Sequence, residues 1–376
     1  MWTYIFIFAF SLFFIHLVDT YYKKTMIRYV GGLLSVLPPI LLAGFRDVSV
    51  GSDMQLYINP IFEYLQSTDG NLGIVRDRWE DVEFMYLFLN YIVYYTTNSF
   101  VCFLIALHAL IIIPLYVSAM KWRNFLSPVY FFLIYYCIFY QETLSIVRQS
   151  LAISFAILSI TYFIDRKVLK FSIFAILSIS FHSTAVIALL IPLLYKILSI
   201  FPIKKYYLGY LLILLATSYF LMSIDSIFIW LINSGLIGGK YLIYTSGGNT
   251  FEANLGMTNI VVKVAILFYM LLVLIKYKPN IMIDTFLVLE IIDLILSLCG
   301  LIAGPLDRFS LYFRLMLCIS LPFLFKNCPL FVYFNSYRIS LPVRYPILLL
   351  LCAFWVYVYM MGDYDSTSVY MINRNL

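Results

Sequence analysis

Gly44-Phe45-Arg46-Asp47-Val48-Ser49-Val50-Gly51-Ser52-Asp53-Met54-Gln55-Leu56-Tyr57 follows directly on an apolar run and marks where a membrane helix ends. An arginine and an aspartate come first, then a glycine that can bend the chain, then a second aspartate and a tyrosine. Four groups able to bind an anion or a sugar thus stand at a membrane–water boundary. Asp53 is also placed to cap a helix over 54–65.

Composition fixes the setting. The chain has 376 residues, of which 63% are hydrophobic and 12% charged, against roughly 25% charged in a soluble domain. Its apolar residues come in blocks of about 15–24, enough to cross hydrocarbon as helices. Backbone groups stay paired in lipid only as helices or closed barrels. The expectation is an all-α, polytopic integral membrane protein, one transmembrane domain over residues 1–376. The net charge of +6 then reflects basic cytoplasmic loops rather than nucleic-acid binding. No positive residue precedes the apolar run 2–18 and no small-residue cleavage site follows it, so it reads as a span and not a signal peptide. The six cysteines form no CxxC pair, which argues against a metal site or disulfide framework. No Walker loop, dinucleotide fingerprint or HExxH is present, and no cofactor is expected. Aromatics make up 19%. Most read as an interfacial belt; some could also stack on sugars.

Spans are expected at about 2–18, 29–43, 100–120, 128–140, 144–164, 168–181, 184–200, 206–222, 258–275, 281–303, 309–325 and 345–361. That is about twelve, with both termini outside. Lys23, Lys24 and Arg28 hold the first loop in the cytoplasm, so the loop 44–81 is extracytoplasmic. Segment 82–95 is short and contains Glu83 and Asn90. If it crossed, nearly every later basic loop would face outward, so it reads as an interfacial or re-entrant helix on the outer side. Segment 223–257 is a second outer loop. The absence of an internal repeat leaves an inverted-repeat transporter unsupported.

Three later positions fall at the same outer ends of spans. Arg148 lies in Tyr140-Gln141-Glu142-Thr143-Leu144-Ser145-Ile146-Val147-Arg148-Gln149. Its structural alternative is an ion pair with Glu142; its functional reading is phosphate or pyrophosphate binding, which a guanidinium matches well. His182 lies in Phe181-His182-Ser183, where an imidazole is either packing or a base for a hydroxyl. Arg308, Tyr312 and Arg314 follow one another in Asp307-Arg308-Phe309-Ser310-Leu311-Tyr312-Phe313-Arg314. Two arginines at one helix mouth fit an anionic ligand, or pairing with Asp307. Asp47 and Asp53 are either solvated carboxylates or sugar ligands, with Asp53 a second candidate base. Glu290 and Asp293 share a helix face inside a span. A structural pair with Arg314 or Lys263 is favoured there over a proton path.

The chain resembles the EpsG family of Wzy-like polysaccharide polymerases in Phe45-Arg46-Asp47 with Val50-Gly51-Ser52-Asp53 and Tyr57, in Arg148-Gln149, in Phe181-His182-Ser183, and in Arg308 with Tyr312-Phe313. The motifs stand in the family's order over most of the length. Only the tail departs, with Asp363-Tyr364-Asp365 where the family often carries a Pro-Tyr. The resemblance implies a GT-C-like, metal-independent glycosyltransferase. It would join undecaprenyl-pyrophosphate-linked oligosaccharide units into O-antigen or a similar surface glycan at the periplasmic face of the bacterial inner membrane. His182 or Asp53 would be the base. Arg148, Arg308, Arg46 and Arg314 would hold the pyrophosphate, and Asp47, Tyr57, Gln149 and Tyr312 the sugars. Membrane lipid and a polysaccharide chain-length regulator are the implied partners. The competing classes are a lipid-linked oligosaccharide flippase or exporter and a lipid-linked glycan ligase. A flippase would carry its cations through to the cytoplasmic side; a ligase would differ only in acceptor.

Overall fold

Without water to receive them, backbone N–H and C=O groups of an apolar block must bond within the segment, and the apolar blocks here do so as helices. The computed structural model describes residues 1–206, 219, 226, 253–300, 305–334, 339–363 and 366–372. Among these, eight helical segments are long and apolar enough to span a membrane: Trp2–Thr20, Ile27–Gly44, Phe100–Lys121, Val147–Ile164, Ser183–Ile200, Met257–Lys276, Asp307–Asn327 and Arg344–Met361. Pro128–Ile138 and Val168–Phe181 are shorter apolar helices. Ile281–Gly300 has the length but carries Asp284, Glu290 and Asp293. This is a multi-pass, all-α membrane protein, with eight qualifying spans against the twelve expected. The expected span 206–222 and most of the loop 223–257 lie outside the described residues. One antiparallel hairpin, β1 (Phe331–Phe334) with β2 (Ile339–Pro342), was not anticipated.

The chain forms two compact units, residues 1–189 with 321–376, and residues 190–320. In the first, helix α1 (Trp2–Thr20) packs on α2 (Gly32–Gly44), which a π-helical turn, Ile27–Gly31, precedes. Pro38 and Pro39 sit inside α2. Pro39 has no N–H, so the Ser35 carbonyl one turn earlier loses its helical donor. Ser11 of α1 replaces it: its hydroxyl donates to Ser35 O at 2.6 Å and in turn accepts from the Tyr136 hydroxyl at 2.6 Å. Phe8 stacks on the Tyr136 ring at 4.2 Å. A helix-breaking residue thus becomes a three-helix joint.

After α2 come a π-helical turn, Met54–Ile58, α3 (Asn59–Ser67), α4 (Leu72–Arg78), α5 (Phe84–Thr97) and α6 (Phe100–Lys121). Asp53 does not cap the turn it precedes; its carboxylate accepts the Tyr57 hydroxyl instead, at 2.6 Å. Helix α7 (Pro128–Ile138) breaks before α8 (Glu142–Ser145), and the chain re-enters a helix as α9 (Val147–Ile164). Of the expected spans 128–140 and 144–164, the second therefore has spanning length as α9, while the first is the shorter helix α7. Helix α10 (Val168–Phe181) returns along α9, and a 3₁₀ turn, Ser183–Leu189, follows.

Arg46 ties the loop after α2 to that break. Its side chain is fully buried. Nη1 donates to Ala43 O at 2.8 Å and to His108 Nε2 at 3.1 Å, while Nη2 donates to Leu144 O at 3.2 Å. A guanidinium cannot accept, so His108 receives at Nε2 and donates from Nδ1 to Leu104 O at 2.9 Å. The Tyr140 hydroxyl donates to Pro39 O at 2.7 Å across the same junction. Gly51, at φ +99°, lies so close to the Leu144 carbonyl that a Cβ would collide with it. The tail joins as well: Arg46 bridges Ile372, Asp47 N–H donates to Met371 O at 2.9 Å, and the Tyr4 hydroxyl donates to Thr367 O at 2.9 Å. Of the tail motif, 364–365 lie outside the described residues.

Arg46→Ala strips donors from the Ala43 and Leu144 carbonyls and from His108, each loss costing about 1–3 kcal/mol in a buried site. The variant is expected to lose most of its folded yield and melt well below wild type in detergent. Arg46→Lys should recover only part, because one ammonium cannot reach all three acceptors. A wild-type melting temperature for Arg46→Ala would refute the structural role.

Candidate active site

Four helix termini converge in the first unit. Glu83 precedes α5, Arg148 is the second residue of α9, His182 ends α10, and Tyr57 stands in the π turn. Each lies at a terminus because the chain there leaves its helix and the side chain is not enclosed by neighbouring turns.

Glu83 joins them. Its Oε2 accepts Arg148 Nη1 at 2.7 Å, and its Oε1 accepts His182 Nδ1 at 2.6 Å and Ser183 N–H at 3.2 Å. The three charged side chains are 16–21% exposed, so they are accessible yet mostly shielded. Arg148 lies over the Tyr57 ring at 4.6 Å, and the Tyr57 hydroxyl donates to Asp53 Oδ2. Asp53, Tyr57, Arg148, Glu83 and His182 form one continuous relay. Burial pushes the Glu83 carboxyl up, but the His182 hydrogen bond, the His182 charge and the Arg148 charge outweigh it and hold it at about 2. Burial, then the Asp53 carboxylate, pushes the Tyr57 phenol well above its ordinary range. With Glu83 ionised, the His182 Nδ1–H donates to its Oε1. Nε2 has no hydrogen-bond partner among the described residues.

The expected partner of Arg148 was Glu142, which corrects to Glu83. Glu142 is buried on the other side of the helix break and accepts the Tyr359 hydroxyl at 3.1 Å. Glu142 and Arg148 are six positions apart in sequence, but Ile146 (φ −83°, ψ 61°) breaks the helical register between them. Glu83 is the residue sequence reasoning passed over. In the sequence it counts only as a charge that makes 82–95 a poor span, and that misplaced charge is the available signal.

The other expected site residues fall as follows. Arg46 is enclosed in the joint described above. Asp47 is occupied by Ser49, whose N–H and hydroxyl donate to Oδ1 at 3.0 and 2.8 Å. Gln149 is buried. Arg308, Tyr312 and Arg314 belong to the second unit, in the helix Pro305–Arg314. Arg308 is exposed and Tyr312 buried. Arg314 is buried, and its Nη2 donates to Asp307 Oδ1 at 3.0 Å and Ser310 Oγ at 3.1 Å. Lys263 pairs with Asp293 Oδ1 at 2.7 Å and donates to Ser297, which donates to Asp307 Oδ1 at 2.9 Å. The Lys263–Asp293 pairing is the structural one anticipated for this helix face. Among the described residues no group of three or more His, Cys, Asp or Glu is placed to hold a metal ion.

A model of the EpsG family matches residues 29–371. No curated protein matches the chain, and no solved structure does.

A depressed carboxyl stabilises the fold only where it is ionised. Glu83 therefore contributes its full share above the unfolded glutamate value of about 4.3, and that share drains as pH falls toward about 2. Melting temperature between pH 2 and 6 should fall less steeply in Glu83→Gln than in wild type, and the two curves should converge at the acid end. Parallel curves would show that the Glu83 pairings contribute nothing to stability.

Proposed function

The chain belongs to the EpsG family, membrane proteins related to Wzy-like polysaccharide polymerases, and from that premise we propose that it polymerises a surface glycan on a polyprenyl pyrophosphate carrier. The donor is the growing chain on undecaprenyl pyrophosphate. The acceptor is a hydroxyl of an incoming lipid-linked oligosaccharide unit, and the reaction runs at the periplasmic face of the inner membrane. The acceptor oxygen attacks the anomeric carbon, the bond from that carbon to the pyrophosphate oxygen breaks, and undecaprenyl pyrophosphate departs with the electron pair.

The observation that carries the reading is the Glu83-centred relay. Hydrogen-bonded to an ionised carboxylate at Nδ1, His182 is oriented to take the acceptor proton at Nε2, the arrangement of a base and its orienting acid. Arg148 is fixed between Glu83 and the Tyr57 ring. A guanidinium carries five donors, and Glu83 engages it through Nη1. Nε is buried, so the other terminal N–H groups are the ones suited to the oxygens of the departing diphosphate, where charge builds up in the transition state. Asp53 holds Tyr57 beneath Arg148 and positions the cation rather than acting as the base.

Arg148→Ala should cut polymerisation by roughly 10²–10³-fold, the scale of losing one transition-state donor. His182→Ala should cut it by roughly 10²–10⁴-fold, the scale of general-base catalysis, with partial recovery at raised pH. On gels of surface glycan both variants should show single-unit material in place of the long-chain ladder. Loss of all surface sugar would indicate a flippase instead. Full ladders in Arg148→Ala, or full activity of His182→Ala at neutral pH, would remove the respective residue from the mechanism.

A further inference from the structure

Helix α5 presents two unlike faces. Tyr86, Leu87, Asn90 and Val93 are buried. Phe84, Phe88, Tyr91 and Tyr95 recur at helical spacing on the other side, and Phe84, Phe88 and Tyr95 are 50%, 37% and 60% exposed. The rings form a continuous row. Phe84 and Phe88 lie 5.9 Å apart with planes 16° from parallel, and Phe88 and Tyr91 lie 6.3 Å apart at 14°. Tyr95 follows at 4.6 Å from Tyr91. This row forms one wall of a groove of about 650 Å³.

The opposite wall is polar. It is the turn after α3, with Asp69 and Asn71 both exposed and lining the groove. Asp69 (φ +50°) and Gly70 (φ +77°) take left-handed conformations there. A Cβ on Gly70 would collide with the Tyr94 and Tyr95 rings, so the turn is pressed against the aromatic row by a residue without a side chain. Phe84, at one end of the aromatic row, is the chain neighbour of Glu83 in the relay.

We propose that this groove is a saccharide subsite, in which the glycan adjoining the reacting unit lies with its C–H faces on the Phe84–Phe88–Tyr91 row and its hydroxyls toward Asp69 and Asn71. The proposal rests on the polymerase reading above and names where its sugar chain runs. The two walls select the occupant. A sugar ring has an apolar face and a rim of hydroxyls, and so uses both an aromatic platform and carboxylate or amide partners. An acyl chain would use only the rings, and an exposed carboxylate facing hydrocarbon is costly. Continuity with Glu83 gives the direction, because a chain held here emerges beside the site where its reacting end is joined.

The test replaces the rings without removing apolarity, in Phe88→Leu/Tyr91→Leu. Polymer released from wild-type cells by mild acid is titrated against the full-length protein in nanodiscs, alongside gels of surface glycan from cells carrying each variant. Polymer binding should weaken roughly tenfold, about 1.4 kcal/mol, and the ladder should shift to shorter chains without collapsing to single units. Wild-type binding by the leucine pair overturns the subsite whatever the ladder does, since a stripe facing lipid needs only apolar side chains. If binding is unchanged while Arg148→Ala still abolishes polymer, the groove falls and the polymerase reading stands. If Arg148→Ala keeps its ladder, the catalytic reading falls, and the binding measurement alone decides the groove.

Discussion

A fully buried arginine without an acidic hydrogen-bond partner among the described residues organises the first unit. Burying a cation is costly unless its donors are met. Arg46 meets those of its two terminal nitrogens with the end of α2, the break between α7 and α9, and a histidine of α6, while Nε stays unpartnered among the described residues. The two carbonyls, Ala43 O and Leu144 O, stand where a helix ends and leaves its last carbonyls without helical donors. Cation and carbonyls therefore compensate one another, and neither could be buried alone. The Arg148 position depends on this joint, because the break it fixes at residues 139–146 sets where α9 begins.

Helix ends recur as the construction device. Pro39 frees a carbonyl that Ser11 takes, Ile146 interrupts a register, and His182 stands where α10 stops. In a protein this apolar, a polar side chain in mid-helix faces lipid or must be paired. The second unit illustrates the pairing, with Lys263, Asp293, Ser297, Asp307, Ser310 and Arg314 tied in a buried network. The groups of the first unit escape that closure because they lie at termini. Glu83, Arg148 and His182 keep 16–21% exposure while still fixing one another.

The relay also separates residues that their types alone leave equal. Asp53 and His182 are both chemically able to accept a proton. Asp53 is engaged by the Tyr57 hydroxyl, whereas His182 is held through Nδ1 by Glu83. The arginines separate in the same way. Arg46 is enclosed, Arg314 is bound to Asp307, Arg148 is held at one edge, and Arg308 is exposed.

Apolar block length and sparse charge determined the membrane class and most helix positions, because backbone pairing in lipid is a local demand that any stretch of sequence displays. The order of the Arg46-Asp47, Arg148-Gln149 and Phe181-His182-Ser183 motifs determined the family for the same reason: each motif is contiguous. Only the tertiary structure decided the partners. Glu83 and His182 are 99 positions apart, and Arg46 and Leu144 98. Nothing local distinguishes an arginine that will be sealed under carbonyls from one that will face solvent. The breaks at 139–146 and before Met54 shift every later side chain around its helix. So the correct partner of Arg148 could be found only once the folded chain had brought a distant carboxylate within 2.7 Å of it.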